Sequence, residues 1–328
     1  MTPLRRVWLD ADPGFDDWVA LLMLAVNPQV QWIGMSVVAG NAPLQHTLAN
    51  ALDIRRHYGL KVPIYAGCDK PLIAPPTGLQ RITAQNILGE SGMHTRAERL
   101  PSTGDAPDGH DAAGALIAAL NNATAAGQES LTPLAPLTLI VLGPMTNIAT
   151  ALARDPSIAA HIGEIVFMGG STERGNHTPA AEFNIYADPE AAAVVMNSGI
   201  ALRMFGLNLC RQVLLTQAHV RTMQAWPGQR AQWLAGYCDA YQRIRSADGS
   251  VPMPVYDPVV TAWLAAPQHF EFSAARVDVE LHGRFTRGMT VCDFKPAPTT
   301  PANVQVAMAA KGEEVIELML TSLILAVR

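Results

Sequence analysis

A chain of 328 residues that is 49% hydrophobic and 16% charged has ample apolar material for a sizeable core, in one large domain or two smaller ones. A net charge of −5 without any basic run argues against a nucleic-acid or anionic-membrane surface, and points to a small substrate that is not strongly anionic. Four scattered cysteines with no C-x-x-C pair fit reduced thiols in a cytoplasmic protein rather than a disulfide frame or zinc site, and no secretory h-region follows the first six residues.

The first element in the chain is a buried strand over 7–9, followed by a helix over 17–26 with Val19, Leu22, Met23 and Val26 at helical spacing. Pro13-Gly14 makes the turn between them. Around that turn Asp10, Asp12, Asp16 and Asp17 place four carboxylates in eight positions. A single Asp at a helix start is ordinarily an N-cap, but one helix end has too few free N–H groups to absorb four. Clustered carboxylates repel unless a positive charge sits among them, and a hard cation with oxygen ligands supplies it. The segment therefore predicts a metal site in an α/β enzyme.

Further strands are predicted over 32–38, 64–65, 137–142, 165–168 and 202–205, alternating with helices over 44–58, 112–120, 146–153 and 189–196. This alternation implies an α/β fold: a single large domain, 1–328, with a mainly parallel central sheet flanked by helices and the active site at the carboxyl ends of the strands. Residues 70–108 are poor in periodicity and read as a long excursion near the sheet edge or the active-site rim. An aromatic-studded helical region spans 215–247, followed by a helix over 258–265 and short strands near 277–281 and 304–308. The apolar tract 315–327 contains Glu317 and is too short to span a bilayer; it reads as a buried C-terminal helix. No repeat or linker divides the chain.

Polar residues recur at the predicted strand ends. Gly40-Asn41 ends the second strand, and Gly143-Pro144-Met145-Thr146-Asn147 follows the fourth. Met168-Gly169-Gly170 ends the fifth, with Asn176 and Glu182-Phe183-Asn184 beyond it. Asp257 follows Val255-Tyr256 at the start of a late helix. Each has a structural alternative: Asn41, Asn147 and Asn176 as turn residues, Asp257 as a cap, and the glycines as backbone necessities.

Together these residues carry a resemblance. Asp10-Ala11-Asp12-Pro13-Gly14-Phe15-Asp16-Asp17 resembles the D-x-D-P-G-x-D-D signature of the inosine-uridine nucleoside hydrolase family. The likeness continues in order through Gly40-Asn41, Gly67-Cys68-Asp69-Lys70-Pro71-Leu72, Gly89-Glu90-Ser91-Gly92-Met93, Gly143-Pro144-Met145-Thr146-Asn147, Met168-Gly169-Gly170, Ala181-Glu182-Phe183-Asn184, Asp188-Pro189-Glu190-Ala191 and Asp257-Pro258. It implies a bound Ca²⁺ and hydrolysis of a ribonucleoside to ribose and free base, by a cytoplasmic homodimer or homotetramer. The metal ligands would be Asp12, Asp17, Asp257 and the carbonyl of Leu142. Asp16, Asn41, Asn176, Glu182 and Asn184 would hold ribose hydroxyls, with Met168 packing beside the sugar. Asp12 would also be the general base, and Asp10 would orient its neighbours from behind.

The chain departs from the family pattern at two places. Tyr256 stands where many members have a His before the late Asp, and Leu88, in Asn86-Ile87-Leu88-Gly89, replaces another pocket His. Tyr256 then borders the leaving base as a hydrogen-bond donor or a wall, with Tyr237, Tyr241 and Arg245 as other donors. Two further readings compete: a Ca²⁺-dependent riboside-binding protein with little turnover, and an aspartyl-nucleophile phosphatase built on Asp10-x-Asp12. The phosphatase would require Mg²⁺ and phosphate-gripping donors where this chain has Asn and Glu.

Overall fold

The computed structural model describes residues 4–74, 100–129 and 136–328. Strand β1 (Arg5–Ala11) leads to helix α1 (Phe15–Ala25), β2 (Val30–Val37) to α2 (Leu44–Tyr58), and β3 (Ile64–Ala66) to α3 (Ala112–Glu129). Then come β4 (Leu137–Val141), α4 (Thr146–Arg154), β5 (Ile162–Met168), α5 (Phe183–Ala187), α6 (Pro189–Met196), β6 (Leu202–Phe205) and α7 (Leu207–Cys210). The aromatic-studded region resolves into β7 (Leu214–Leu215), α8 (Gln217–Gln224) and α9 (Gln229–Gln242). The chain finishes with β8 (Met253–Pro254), α10 (Pro258–Ala265), β9 (Phe270–Val279), β10 (Thr290–Asp293), β11 (Val304–Ala310) and α11 (Gly312–Ala326). Leu88 and the 89–93 block lie outside the described residues, as does most of the excursion expected over 70–108.

Among the described residues nine strands form one sheet, in the order β10-β9-β11-β6-β5-β4-β1-β2-β3. β1 to β6 and β11 are parallel, while β9 runs antiparallel to β11 and β10 antiparallel to β9. The mainly parallel sheet is the one that strand-helix alternation predicts. The far edge is larger than expected: β9 is ten residues long, and β10 was not anticipated. Burial along β9 breaks strict alternation, and β10 contributes four residues, so neither gives a clear period-two signal.

Period-two alternation does sort the central strands. Trp8, Leu139, Val141, Ile165 and Phe167 pack with α3, α4 and α6, whereas Val7, Leu9, Ile140, Val166 and Met168 pack with α1, α10 and α11. The two faces are thus covered by separate helical layers, which is why these strands read as continuous apolar runs. Trp8 lies across Gly34, where a Cβ would sit 2.4 Å from the indole, and the β1–β2 register shifts between Val7 and Trp8. The indole stacks on Tyr65 at 5.7 Å.

Within the order β3-β2-β1-β4-β5-β6 the winding reverses between β1 and β4. A crevice opens outside the carboxyl ends of the strands at such a switch point. Asp10, paired with Val141, brings the acidic segment directly into it. All four cysteines are free, and no helix among the described residues is long and apolar enough to cross a membrane.

Candidate active site

Asp12 is 1% exposed and leaves β1 between two glycines. A Cβ on Gly40 would lie 2.1 Å from its Oδ2, and one on Gly143 would lie 2.6 Å from its Oδ1. Both glycines are therefore required by close approach to a carboxylate. Asn41, half-buried, donates its backbone N–H to Asp12 Oδ2 at 2.5 Å and its Nδ2 to the Asp12 carbonyl at 3.1 Å. The same Nδ2 reaches Asp17 Oδ2 at 3.2 Å, so Asn41 ties the two acids together.

Asp17 sits in the first turn of α1 and its Oδ2 accepts the Gly14 N–H at 2.9 Å. Its Oδ1 is buried with no hydrogen-bond partner. Asp257 immediately precedes α10, yet it is no cap. Its backbone is already helical (φ −54°, ψ −40°), Pro258 removes one free N–H, and its side chain makes no capping bond. The carboxylate is released, and one oxygen from each of Asp16, Asp17 and Asp257 lies within 4.8 Å of the others. This tight group contains Asp16, expected on the ribose, beside two of the expected metal ligands. Asp12 lies next to the group, joined to Asp17 through Asn41.

Asp10 is fully buried behind this group. Ser36 Oγ and Asn147 Nδ2 (2.7 Å) both donate to its Oδ1. Trp8 Nε1 donates to Ser36 Oγ at 2.9 Å, and Asn147 Oδ1 accepts the Cys68 N–H at 2.8 Å. Asn147 is thus a buried strut between β1 and the segment after β3, more than a turn residue. Ser36 had not been singled out from the sequence. Its only signal was a hydroxyl in an otherwise apolar buried stretch of β2.

The other expected positions fall into two groups. Glu182, 2% exposed, caps α5: Oε1 accepts from Asn184 N at 2.8 Å, and Oε2 accepts from Gly170 N at 3.0 Å and Ile185 N at 3.1 Å. Asn184 Nδ2 donates to the carbonyls of Leu142 (2.6 Å) and Met168 (3.1 Å), closing the gap between β4 and β5. The Leu142 carbonyl therefore already accepts one hydrogen bond and keeps its second lone pair. Asn176 stands apart, exposed, with Oδ1 accepting the Phe183 N–H at 3.0 Å. Tyr256 is half-buried, and burial above all, with Cys210 and Asp16 nearby, pushes its phenol up to about 12.

The electrostatics of the carboxylates are one-sided. Burial raises Asp12 well above the carboxylate range, reinforced by the charge of Asp17. Burial does the same to Asp257, followed by the charges of Asp16, Asp17 and Asp12. Burial and then Asp16 bring Asp17 to about 7, while burial brings Asp10 to about 7 against its hydrogen bonds from Ser36 and Asn147. Glu182 reaches about 7 through burial, and Asp16 is raised for the same reason. Among the described residues no Lys or Arg forms an ion pair with any of them. A buried, unpartnered oxygen on Asp17 inside an all-oxygen donor set fits a hard divalent cation.

Comparison with known proteins identifies the family and the fold. The chain is 34% identical over 305 residues to the pyrimidine-specific ribonucleoside hydrolase RihB of Escherichia coli O1:K1 / APEC, covering 93% of this chain and 92% of that one. The purine-preferring ribonucleoside hydrolase from Gardnerella vaginalis superposes with a TM-score of 0.85 at 26% identity, covering 98% and 99% of the two chains. The plant nucleoside hydrolase PpNRh1 gives 0.83 at 26% identity over the same shares. Residues 7–317 match the sequence profile described as inosine-uridine preferring nucleoside hydrolase. From β1 into α11, with its acids at the strand ends, the chain belongs to the inosine-uridine preferring nucleoside hydrolase family.

Proposed function

We propose that this protein hydrolyses the N-glycosidic bond of ribonucleosides, giving ribose and free base, with Ca²⁺ as its cation. The observation that carries the reading is the meeting of half-buried Asp16 with buried Asp17 and Asp257 beside Asp12, without basic partners among the described residues, at the β1/β4 switch point. Its family relatives are named as ribonucleoside hydrolases, which supports the substrate class. Calcium accepts six to eight oxygens in flexible geometry, which suits a crowded carboxylate group that must also admit sugar hydroxyls; magnesium demands a tight octahedron. When bound, the ion acidifies and orients a water and holds hydroxyls.

The chain's own residues do the rest. Asp12, Asp17, Asp257 and the free lone pair of the Leu142 carbonyl hold the ion. Asp12 accepts the proton of the attacking water, its carboxylate fixed by the Asn41 N–H. Asp16, Asn41, Asn176, Glu182 and Asn184 hold the ribose, with Met168 beside the ring. Ribosyl transfer to water passes through a sugar with oxocarbenium character, so a carboxylate-rich pocket stabilises the charge that develops. Tyr256 borders the leaving base as a neutral hydrogen-bond donor. The four unpaired cysteines support a cytoplasmic protein, and resemblance to the family supports a homodimer or homotetramer.

Purine and pyrimidine ribosides assayed for free base, with and without a chelator, test this directly. Release of base that stops on chelation and returns with Ca²⁺ is expected. Binding without turnover across the whole panel would favour a riboside-binding role, and restoration by Mg²⁺ alone would refute the calcium assignment.

A further inference from the structure

The loop 171–182 joins β5 to α5 and carries Asn176, the exposed member of the ribose set. It is folded on itself. Gly175 N donates to the Pro179 carbonyl at 3.0 Å, Thr178 N donates to the Ala181 carbonyl at 3.2 Å, and Ser171 Oγ donates to the Arg174 carbonyl at 3.2 Å. Gly175 is packed so closely that a Cβ would lie 2.1 Å from the Ala181 carbonyl oxygen. Because Asn176 Oδ1 accepts from Phe183 N, its Nδ2 is the end left to donate to a ligand.

Arg211, one residue beyond α7, reaches this loop with both Nη atoms of its guanidinium. Nη2 donates to the carbonyls of Arg174 (2.9 Å) and Gly175 (3.2 Å), and Nη1 pairs with Glu173 Oε2 at 3.2 Å. The three contacts fall on the three residues directly before Asn176. Only a planar fork can span them, so lysine is no equivalent. The preceding residue, Cys210, is fully buried, which anchors the base of the arm in the core.

We infer that Arg211 is a positioning residue for sugar recognition: by gripping residues 173–175 it fixes Asn176 at the loop tip with Nδ2 presented to a ribose hydroxyl. This rests on the ribonucleoside reading above. The test is Ca²⁺-supported nucleoside kinetics on Arg211→Met, Arg211→Lys, Asn176→Ala, Asn176→Asp and the Arg211→Met/Asn176→Ala double variant, with melting temperatures alongside. Arg211→Met should raise KM about tenfold, the scale of a lost charge-assisted hydrogen bond, with kcat within about twofold. Arg211→Lys should recover part of the loss. Asn176→Asp keeps the Phe183 bond but lacks the donor, and should match Asn176→Ala. The double variant should be no worse than Asn176→Ala alone, because both changes remove one interaction. Losses that multiply in the double variant, or a lower melting temperature with unchanged KM in Arg211→Met, would overturn the inference while leaving the ribose assignment of Asn176 intact. An Asn176→Ala protein with unchanged KM would remove both. Should Arg211→Met fail to fold, Arg211→Lys decides alone: its KM shift must vanish in the Asn176→Ala background.

Discussion

At Asp257 the backbone has already turned helical before Pro258, so the side chain has no capping duty and its charge is committed to the acidic group. Asp17 divides its carboxylate differently, one oxygen on the Gly14 N–H and one without a partner. On the proposed ligand set, replacing either by alanine removes a ligand charge and leaves the remaining acids without its share of the cation. Asp17→Ala and Asp257→Ala should each weaken Ca²⁺ binding on the order of a hundredfold or more, measured by calorimetry. An Asp17→Ala protein that still holds one equivalent of calcium at wild-type affinity would contradict the ligand assignment. Tyr256 calls for a different measurement. If its phenol assists departure of the base, Tyr256→Phe should slow nucleoside hydrolysis by roughly 10²-fold or more while sparing p-nitrophenyl riboside, whose leaving group needs little protonation. Equal effects on the two substrates identify it as a wall. The cluster of Asp10, Asp12, Asp16 and Asp17 was legible from spacing, because four carboxylates in eight positions cannot all be caps, whereas Asp257 joined it only through the family resemblance. The roles of Ser36, Arg211 and the Asn147 strut were not, because each depends on a partner 26 to 137 residues away or on a loop with no periodic signal.

The elements that build the site do so through backbone proximity as much as through side chains. The segment after β2 brings Gly40, and the segment after β4 brings Gly143, against opposite oxygens of Asp12. Gly40→Ala would force a methyl group into a carboxylate held by Asn41, and Pro144 closes the other side at 2.8 Å. Activity should fall by more than about a hundredfold, with calcium affinity falling alongside, whereas an exposed glycine such as Gly199 shows no such neighbours. Asn147→Ala removes the strut between β1 and the segment after β3, leaving the half-buried Cys68 N–H and one lone pair of Asp10 unpaired. A loss of about 1–3 kcal/mol in urea unfolding is expected. Strand-helix alternation revealed β1 to β6 and their helices because both faces of those strands are buried. It did not reveal β10 or the short helices α5 and α7, which are too brief to show a period.

For the molecule as a whole, the buried acids couple stability to pH and to metal. Asp10 and Asp17 titrate near 7 in the metal-free fold, against 3.8 in an open chain. Between those values the unfolded chain has given up protons that the fold retains. Metal-free stability from these groups is therefore intact below about pH 4, declines as pH rises, and is fully lost above about pH 7. Calcium bound as proposed would keep Asp17 ionised and should flatten this slope, so its stabilising effect should grow toward pH 7. Melting curves from about pH 4.5 to 7.5 in chelator and in calcium check the sign. A metal-free protein that gained stability from these acids across that window would refute it.

The separation of the acids along the chain carries one more consequence, in time rather than in space. Asp12 and Asp17 emerge early in synthesis, but Asp257 follows some 240 residues later, at the start of the helix α10 that packs on α1. On the proposed ligand set, a grip on calcium made of such distant parts is expected to form late in folding, because so long a loop must close first. Calcium should then leave the folding rate nearly unchanged and slow the unfolding rate, acting as a latch that is fitted last and must be released first.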